Sequence, residues 1–245
     1  LGCNQYPNLI HPEGYKFIAS FEREFFPTWT YEIDQITLRK SVIALHHRNV
    51  TLVSYEMIKG PGEIKLEVAP FIAARDYHHL THANSAIRPN AEFADDLFHV
   101  VPYEGVPEIF VFSEHAKFQS HPTWYYHFQY AIEQERGLDF EEDLYCYGNL
   151  SVALSSGKRA IFVLSTEDPR SSNDLQKPAK LIDEELNRRR RLLQQTLAPD
   201  AFSKELTLAA DQFIVRRGRE STTIIAGYPW FTDWGRDTMI ALPGL

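Results

Sequence analysis

Through the first two-thirds of the chain, apolar and polar positions alternate with the period of a β-strand. Residues 31–45 alternate in places. Residues 50–58 repeat the pattern with Val50, Leu52, Val53, Tyr55 and Met57. Lys59-Gly60-Pro61-Gly62-Glu63 is a turn cluster, and 64–71 follows as a strand with Ile64, Leu66 and Val68 on one face. Further strands are predicted at 98–101, 109–113, 124–128 and 151–156 into 159–164, punctuated by Pro107, Pro122 and Gly148. Many short strands without long helices between them predict a largely antiparallel sandwich.

The texture changes near residue 167. The polar, breaker-rich run Glu167-Asp168-Pro169-Arg170-Ser171-Ser172-Asn173-Asp174 reads as a linker. A helix is predicted over 179–197, with Ile182, Leu186, Leu193 and Leu197 in one stripe, and Pro199-Asp200 breaks it. A second helix is predicted over 201–217, with Phe202, Leu206, Ala210 and Phe213 on one face. Arg216 and Arg217 then fall in its last turn and Gly218 ends it. A β-like run, 222–226, leads to a final helix over 234–242 with Asp233 as its N-cap.

Composition narrows the function classes. A length of 245 residues fits one large domain, or one domain and part of a second. The start at Leu1 and the stop just after Pro243-Gly244 lead us to expect a piece of something longer. The net charge of −8 argues against broad phosphate-backbone binding, so no nucleic-acid partner is expected. Arg188, Arg189, Arg190 and Arg191 read as a solvated helix face, because Asp183, Glu184 and Glu185 sit one turn away. No apolar run approaches the roughly 20 residues of a membrane span, so no membrane partner is expected. Cys3 and Cys146 make no disulfide framework, which points to the cytoplasm.

The densest chemistry lies at the end, in Gly227-Tyr228-Pro229-Trp230-Phe231-Thr232-Asp233-Trp234-Gly235-Arg236-Asp237-Thr238. Its aromatic rings can stack on a sugar face. Arg236 donates and an ionised Asp237 accepts, so the two answer both needs of a hydroxyl pair. Neighbouring helical residues point apart, so they converge only if a helix begins there. Pattern alone leaves a second reading open, in which Asp233 caps a helix and Trp230 and Trp234 are core.

The stretch AGYPWFTDWGRDTMIALPGL, from Ala226, resembles the opening of the catalytic domain of bacterial and archaeal glycogen-debranching enzymes, the amylo-α-1,6-glucosidases. Upstream, Asn4-Gln5-Tyr6-Pro7, His11-Pro12-Glu13-Gly14-Tyr15, Pro70-Phe71-Ile72-Ala73-Ala74-Arg75-Asp76-Tyr77-His78, and Glu133, Glu135, Arg136-Gly137-Leu138-Asp139, Glu141 and Asp143 are similar to the N-terminal domain of that family. The resemblance implies a mainly β fold: an antiparallel β-sandwich, then linker helices and the first helix of an (α/α) barrel. The implied domains are 1–167 for the sandwich, 168–220 for linker and helices, and 221–245 for the start of the catalytic barrel. It also implies a glycoside hydrolase acting on α-1,6-linked glucose at branch points, with Trp230, Phe231, Trp234, Arg236 and Asp237 binding substrate. The implied partners are an α-glucan (glycogen or limit dextrin) and the parent's own C-terminal catalytic domain.

No cofactor or metal is called for, since glycoside hydrolysis needs only two carboxylates. A general acid needs a raised pKa, whereas an arginine beside a carboxylate favours the ionised form. Asp237 therefore suits hydroxyl binding better than the acid role, and no complete catalytic pair is expected in this chain. The rival functions are a stand-alone α-glucan-binding module and another glucoamylase-like α-glucosidase.

Four other features are read more plainly. His78, His79 and His82 form a polar loop, since a metal would need them to converge with a fourth ligand. Arg75 and Asp76 read as an ion pair. The run 124–130 splits between two faces if it is a strand, so half of it is core and the rest is free to act as an aromatic platform. The stretch 133–143, with Glu133, Glu135, Asp139, Glu141, Glu142 and Asp143, reads as a solvated acidic loop.

Overall fold

A computed structural model of the chain describes residues 1–196, 200–218 and 221–244. It is mainly β, with antiparallel sheets followed by helices. A short hairpin, β1 (Gln5–Tyr6) and β2 (Leu9–Ile10), precedes β3 (Ile18–Glu22), β4 (Thr28–Ile33), β5 (Ile36–Ala44), β6 (Val50–Lys59), β7 (Glu63–Val68), β8 (Phe71–Ile72), β9 (Ala91–Ala94), β10 (Leu97–Val100) and β11 (Ile109–Phe112). Then come β12 (Lys117–Gln129), helix α1 (Ala131–Glu135), β13 (Glu141–Ser155) and β14 (Arg159–Ser165). Helices α2 (Pro178–Gln195) and α3 (Ala201–Asp211) lead to β15 (Ile214–Arg217), β16 (Ser221–Gly227), β17 (Phe231–Asp233) and α4 (Gly235–Ala241).

Eight strands form one sheet in the order β3-β4-β5-β6-β14-β11-β10-β9. A smaller sheet, β12-β13-β7 with β8 also on β13, packs over one of its faces. Leu38, Met57, Phe98, Val111 and Phe162 of the large sheet meet Tyr145, Tyr147, Leu150 and Leu154 of the small one in a single core. The other face of the large sheet is also covered. Ile43, Leu52, Phe110, Ile161 and Val163 pack there against Leu175, Leu181 and Ile182, the last two on α2. A strand buried on both faces needs no polar alternation, which is why β14 reads Ala160-Ile161-Phe162-Val163-Leu164. The helix after the expected linker thus folds back onto the sheet as a third layer.

A buried carboxylate fixes that layer. Glu185 of α2 is 5% exposed and accepts from Arg188 (2.9 and 3.0 Å) and Arg189 (2.8 Å). Burial pushes its carboxyl up, but the two guanidinium groups outweigh this and hold it below its ordinary value. Arg188 also binds Asp211 of α3 at 2.6 and 3.0 Å, and Arg189 donates to the Phe25 carbonyl. Arg190 and Arg191 are exposed as expected, whereas Arg188 and Arg189 clamp α2 to its neighbours.

Several strand and helix bounds differ from the sequence reading. The run 31–45 is a hairpin, turning at Asp34 (φ 52°) and Gln35. Pro122 and Gly148 lie inside long strands. Pro122 sits where the β12–β13 register shifts between Ser120 and Thr123. Gly148, opposite Ser120, has φ 146°, and a Cβ there would lie 2.2 Å from the Gln119 carbonyl oxygen. Residues 141–143, read as the end of an acidic loop, begin the central strand of the small sheet.

The second helix ends at Asp211. Ile214 and Val215, β-branched, start a strand that pairs with β16, so Arg216 and Arg217 are strand residues. Phe202 (69% exposed) and Leu206, expected on a packed face, are exposed. Leu197 and Pro199 lie outside the described residues. Among the described residues no helix is long and apolar enough to cross a membrane.

Phe162 is buried in the inter-sheet core, while Phe21 is exposed on the edge strand β3. Phe162→Ala should cost about 3–5 kcal/mol in urea unfolding. Phe21→Ala should stay within about 0.5 kcal/mol of the parent. Equal losses would contradict this placing of the core.

Candidate functional site

The site is built on a buried carboxylate at the start of β13. Glu142 is 1% exposed. Arg75 grips it with both arms, Nε to Oε2 and Nη2 to Oε1, each at 2.8 Å. The Tyr130 hydroxyl donates to Oε1, and the Thr81 N–H donates to Oε2 at 3.2 Å. Burial pushes the Glu142 carboxyl up, but these donors outweigh it and hold it below its ordinary value. Burial and the neighbouring carboxylate push the Tyr130 phenol well above its ordinary value.

Asp143, the next residue, accepts from the Ala83 and His127 N–H groups, both at 2.9 Å. Together the two acids staple the 75–83 loop to the small sheet. The expected Arg75–Asp76 pair is therefore not formed between side chains. Arg75 binds Glu142 and the Asp76 carbonyl, and the Asp76 carboxylate accepts from the His78 N–H at 2.8 Å. The solvated-loop reading fails at 142–143 for one reason: these acids open a buried strand. The signal was present, since Leu144-Tyr145-Cys146-Tyr147 follows them directly.

Tyr130 also begins α1, so its bond to Glu142 ties that helix to the anchor. The helix and its end present Glu133 and Arg136 to the C-terminal segment. The Trp230 indole N–H donates to Glu133 Oε1 at 2.8 Å, and the Arg136 guanidinium lies 4.0 Å from the Trp230 ring centroid. A charge-assisted hydrogen bond and a cation–π contact thus join two segments about a hundred residues apart. Between them opens a cleft of about 1410 Å³, walled by Tyr77, His79, Gln129, Leu138, Glu141 and Trp230 among others. Bonds from Gln129 (3.0 Å) and His127 (2.8 Å) hold the Glu141 carboxyl below its usual range. His78 and His82 also line this cleft. Among the described residues no three His, Cys, Asp or Glu side chains are placed to hold a metal ion.

Of the residues expected to bind substrate, the structure brings only Trp230 into the cleft. Phe231 and Trp234 (59% exposed) stand out from the surface, so within this chain Trp234 does not pack into a core. Arg236 and Asp237 lie in the first turn of α4 and meet at 3.3 Å, the geometry that a helix beginning at Gly235 allows. Asp233 is not a cap. It lies on β17, accepts from Thr223 Oγ1 at 2.9 Å and pairs with Arg217, while Trp234 occupies the cap position. Those two donors, Thr223 first, hold its carboxyl below the ordinary value. The residues that sequence reasoning missed are Glu142, Tyr130, Glu133 and Arg136. Trp124, expected to split between core and platform, packs edge-on against Tyr145 at 5.1 Å, and Tyr126 is exposed.

Arg75→Ala would strand a buried carboxylate and should cost about 3–5 kcal/mol. Because the folded-state pKa of Glu142 is lowered, its stabilisation is complete above the unfolded value of about 4.3 and is lost as pH falls through the folded one. Glu142→Gln should flatten that acid limb in urea unfolding across pH 3–5. An unchanged limb would remove Glu142 from the anchor.

Two families match the chain. The family described as glycogen debranching enzyme N terminal matches residues 1–161, and the family described as amylo-alpha-1,6-glucosidase matches residues 208–245. No curated protein matches the chain at a significant level. The first match spans the sandwich that carries Arg75, Tyr130, Glu133, Arg136 and Glu142, and the second spans Trp230 and the Arg236–Asp237 pair. The chain therefore belongs to the glycogen debranching enzyme family.

Proposed function

We propose that this chain is the N-terminal part of a debranching glycoside hydrolase that releases α-1,6-linked glucose at branch points of glycogen or limit dextrin. One observation carries the reading: Phe231, Trp234 and Arg236 stand exposed, with Arg236 paired to the half-buried Asp237, in the segment matched by the amylo-α-1,6-glucosidase family. Exposed rings stack on a pyranose face. Arg236 offers donors and Asp237 acceptors, the pair that vicinal hydroxyls require. In this reading Trp230, Phe231, Trp234, Arg236 and Asp237 bind substrate.

Hydrolysis uses two carboxylates, about 6.5–9.5 Å apart in an inverting enzyme. With Asp237 engaged by Arg236, the acid–base pair comes from the rest of the catalytic domain. That domain is the partner the reading assigns to the exposed Met239 and Ile240 of α4 and to the exposed Phe202 and Leu206 of α3, since exposed apolar side chains favour docking. Residues 1–167 then form the sandwich, 168–220 the connecting helices, and 221–245 the beginning of the barrel. Neither metal nor cofactor enters the chemistry. Free Cys3 and Cys146 suit the cytoplasm.

In the full-length enzyme, Asp237→Asn should lower glucose release from limit dextrin about 10–100-fold, the worth of one charged hydrogen bond. The 245-residue chain alone should release none. An unaffected rate in the variant would reduce 236–237 to a helix start, and turnover by the isolated chain would place the acid–base pair within it.

A further inference from the structure

We infer that the cleft between the sandwich and the C-terminal segment is itself a binding site for an α-glucan chain. The inference rests on the α-glucan reading above and extends it to residues that no family description assigns. Size is the first argument. A cleft of about 1410 Å³ exceeds the roughly 300–1,000 Å³ typical for a single small ligand and has room for an oligomer.

Charge is the second argument. Among the lining side chains Arg75 is opposed by Glu133, Asp139 and Glu141, and Arg75 is already committed to Glu142. Excess negative charge repels phosphate-bearing chains and leaves a neutral one acceptable. Chemistry is the third argument. Tyr77, 45% exposed, and Trp230 supply flat apolar faces. Gln129, Glu141 and the histidines supply hydrogen-bond donors and acceptors between them. A pyranose presents an apolar face rimmed by hydroxyls, and this lining answers both.

Trp230, beside Pro229, is the ring that the C-terminal segment contributes to the wall, and the sandwich fixes its pose. Glu133 holds the indole N–H and Arg136 stacks on the ring. The Glu133 bond and the Arg136 stack therefore make these two positioning residues for a glucan-stacking ring. The His78-His79 loop gains a role as part of the cleft wall.

The test labels the chain with 5-fluorotryptophan and titrates it with maltoheptaose. There are four tryptophans, and Trp230→Phe assigns the relevant fluorine resonance. The Trp230 resonance should move on titration while that of Trp29, on β4, stays fixed. Tyr77→Ala, a change at an exposed loop position that leaves the core intact, should weaken the titration about tenfold. Movement of Trp234 with Trp230 unmoved would overturn the cleft site while leaving the α-glucan reading standing. If no tryptophan moves, the cleft site falls, and glucose release by the full-length enzyme decides the broader reading separately.

Discussion

The structure's functional end depends on a carboxylate that water cannot reach. Glu142 sits at the mouth of the inter-sheet core with both oxygens occupied by Arg75, Tyr130 and the Thr81 N–H. Removing one donor from such a group leaves a charge with nowhere to go, so the set behaves as a unit. That unit decides where three otherwise independent pieces lie. Arg75 and Thr81 bring the histidine-bearing loop, Tyr130 brings α1, and β13 brings the sheet. Without the anchor, α1 is five residues of short helix with no side-chain cap, which loses its side-chain tie to the β13 carboxylate.

A second buried carboxylate works the same way on the far face of the large sheet. Glu185 gathers Arg188 and Arg189, and through Arg188 it reaches Asp211 at the end of α3. The C-terminal segment is therefore held twice. Its beginning is tied through α3 to the helix layered on the sheet, and its Trp230 is tied through α1 to the sandwich. The hairpin β15–β16 lies between those two ties, and beyond Trp230 strand β17 carries the chain to α4, where Arg236 and Asp237 meet. Two ion-pair clusters in a β-rich fold thus set the pose of the segment on which substrate recognition is proposed to rest.

Much of this was legible in the sequence, and the misses share a cause. Period-two alternation revealed β5, β6 and β7, where one face is more exposed than the other. It could not extend β12 through Pro122, because a bulge absorbs a residue that would otherwise stop a strand. Acidic residues at 142–143 read as solvent-facing because burial of a carboxylate depends on donors far away in sequence, here Arg75 and Tyr130. Glu185 differs: its donors Arg188 and Arg189 lie one turn away, and what the sequence hid was the packing of α2 on the sheet that buries the carboxylate. Arg236 and Asp237 were legible as a pair from their adjacency and opposite charge, and in the structure the two side chains meet at 3.3 Å. The contact between Glu133 and Trp230 was not, since nothing local in either segment signals a partner about a hundred residues distant.

The account's central claim is that the Glu142 anchor fixes Trp230 by way of Tyr130 and α1. Tyr130→Phe deletes only the hydroxyl that links them. Hydrogen exchange, followed at the amides of 131–136 and at the Trp230 indole N–H, tests the link directly. The expected result is faster exchange at both with protection in β13 unchanged. Unaltered exchange at both places would contradict the account.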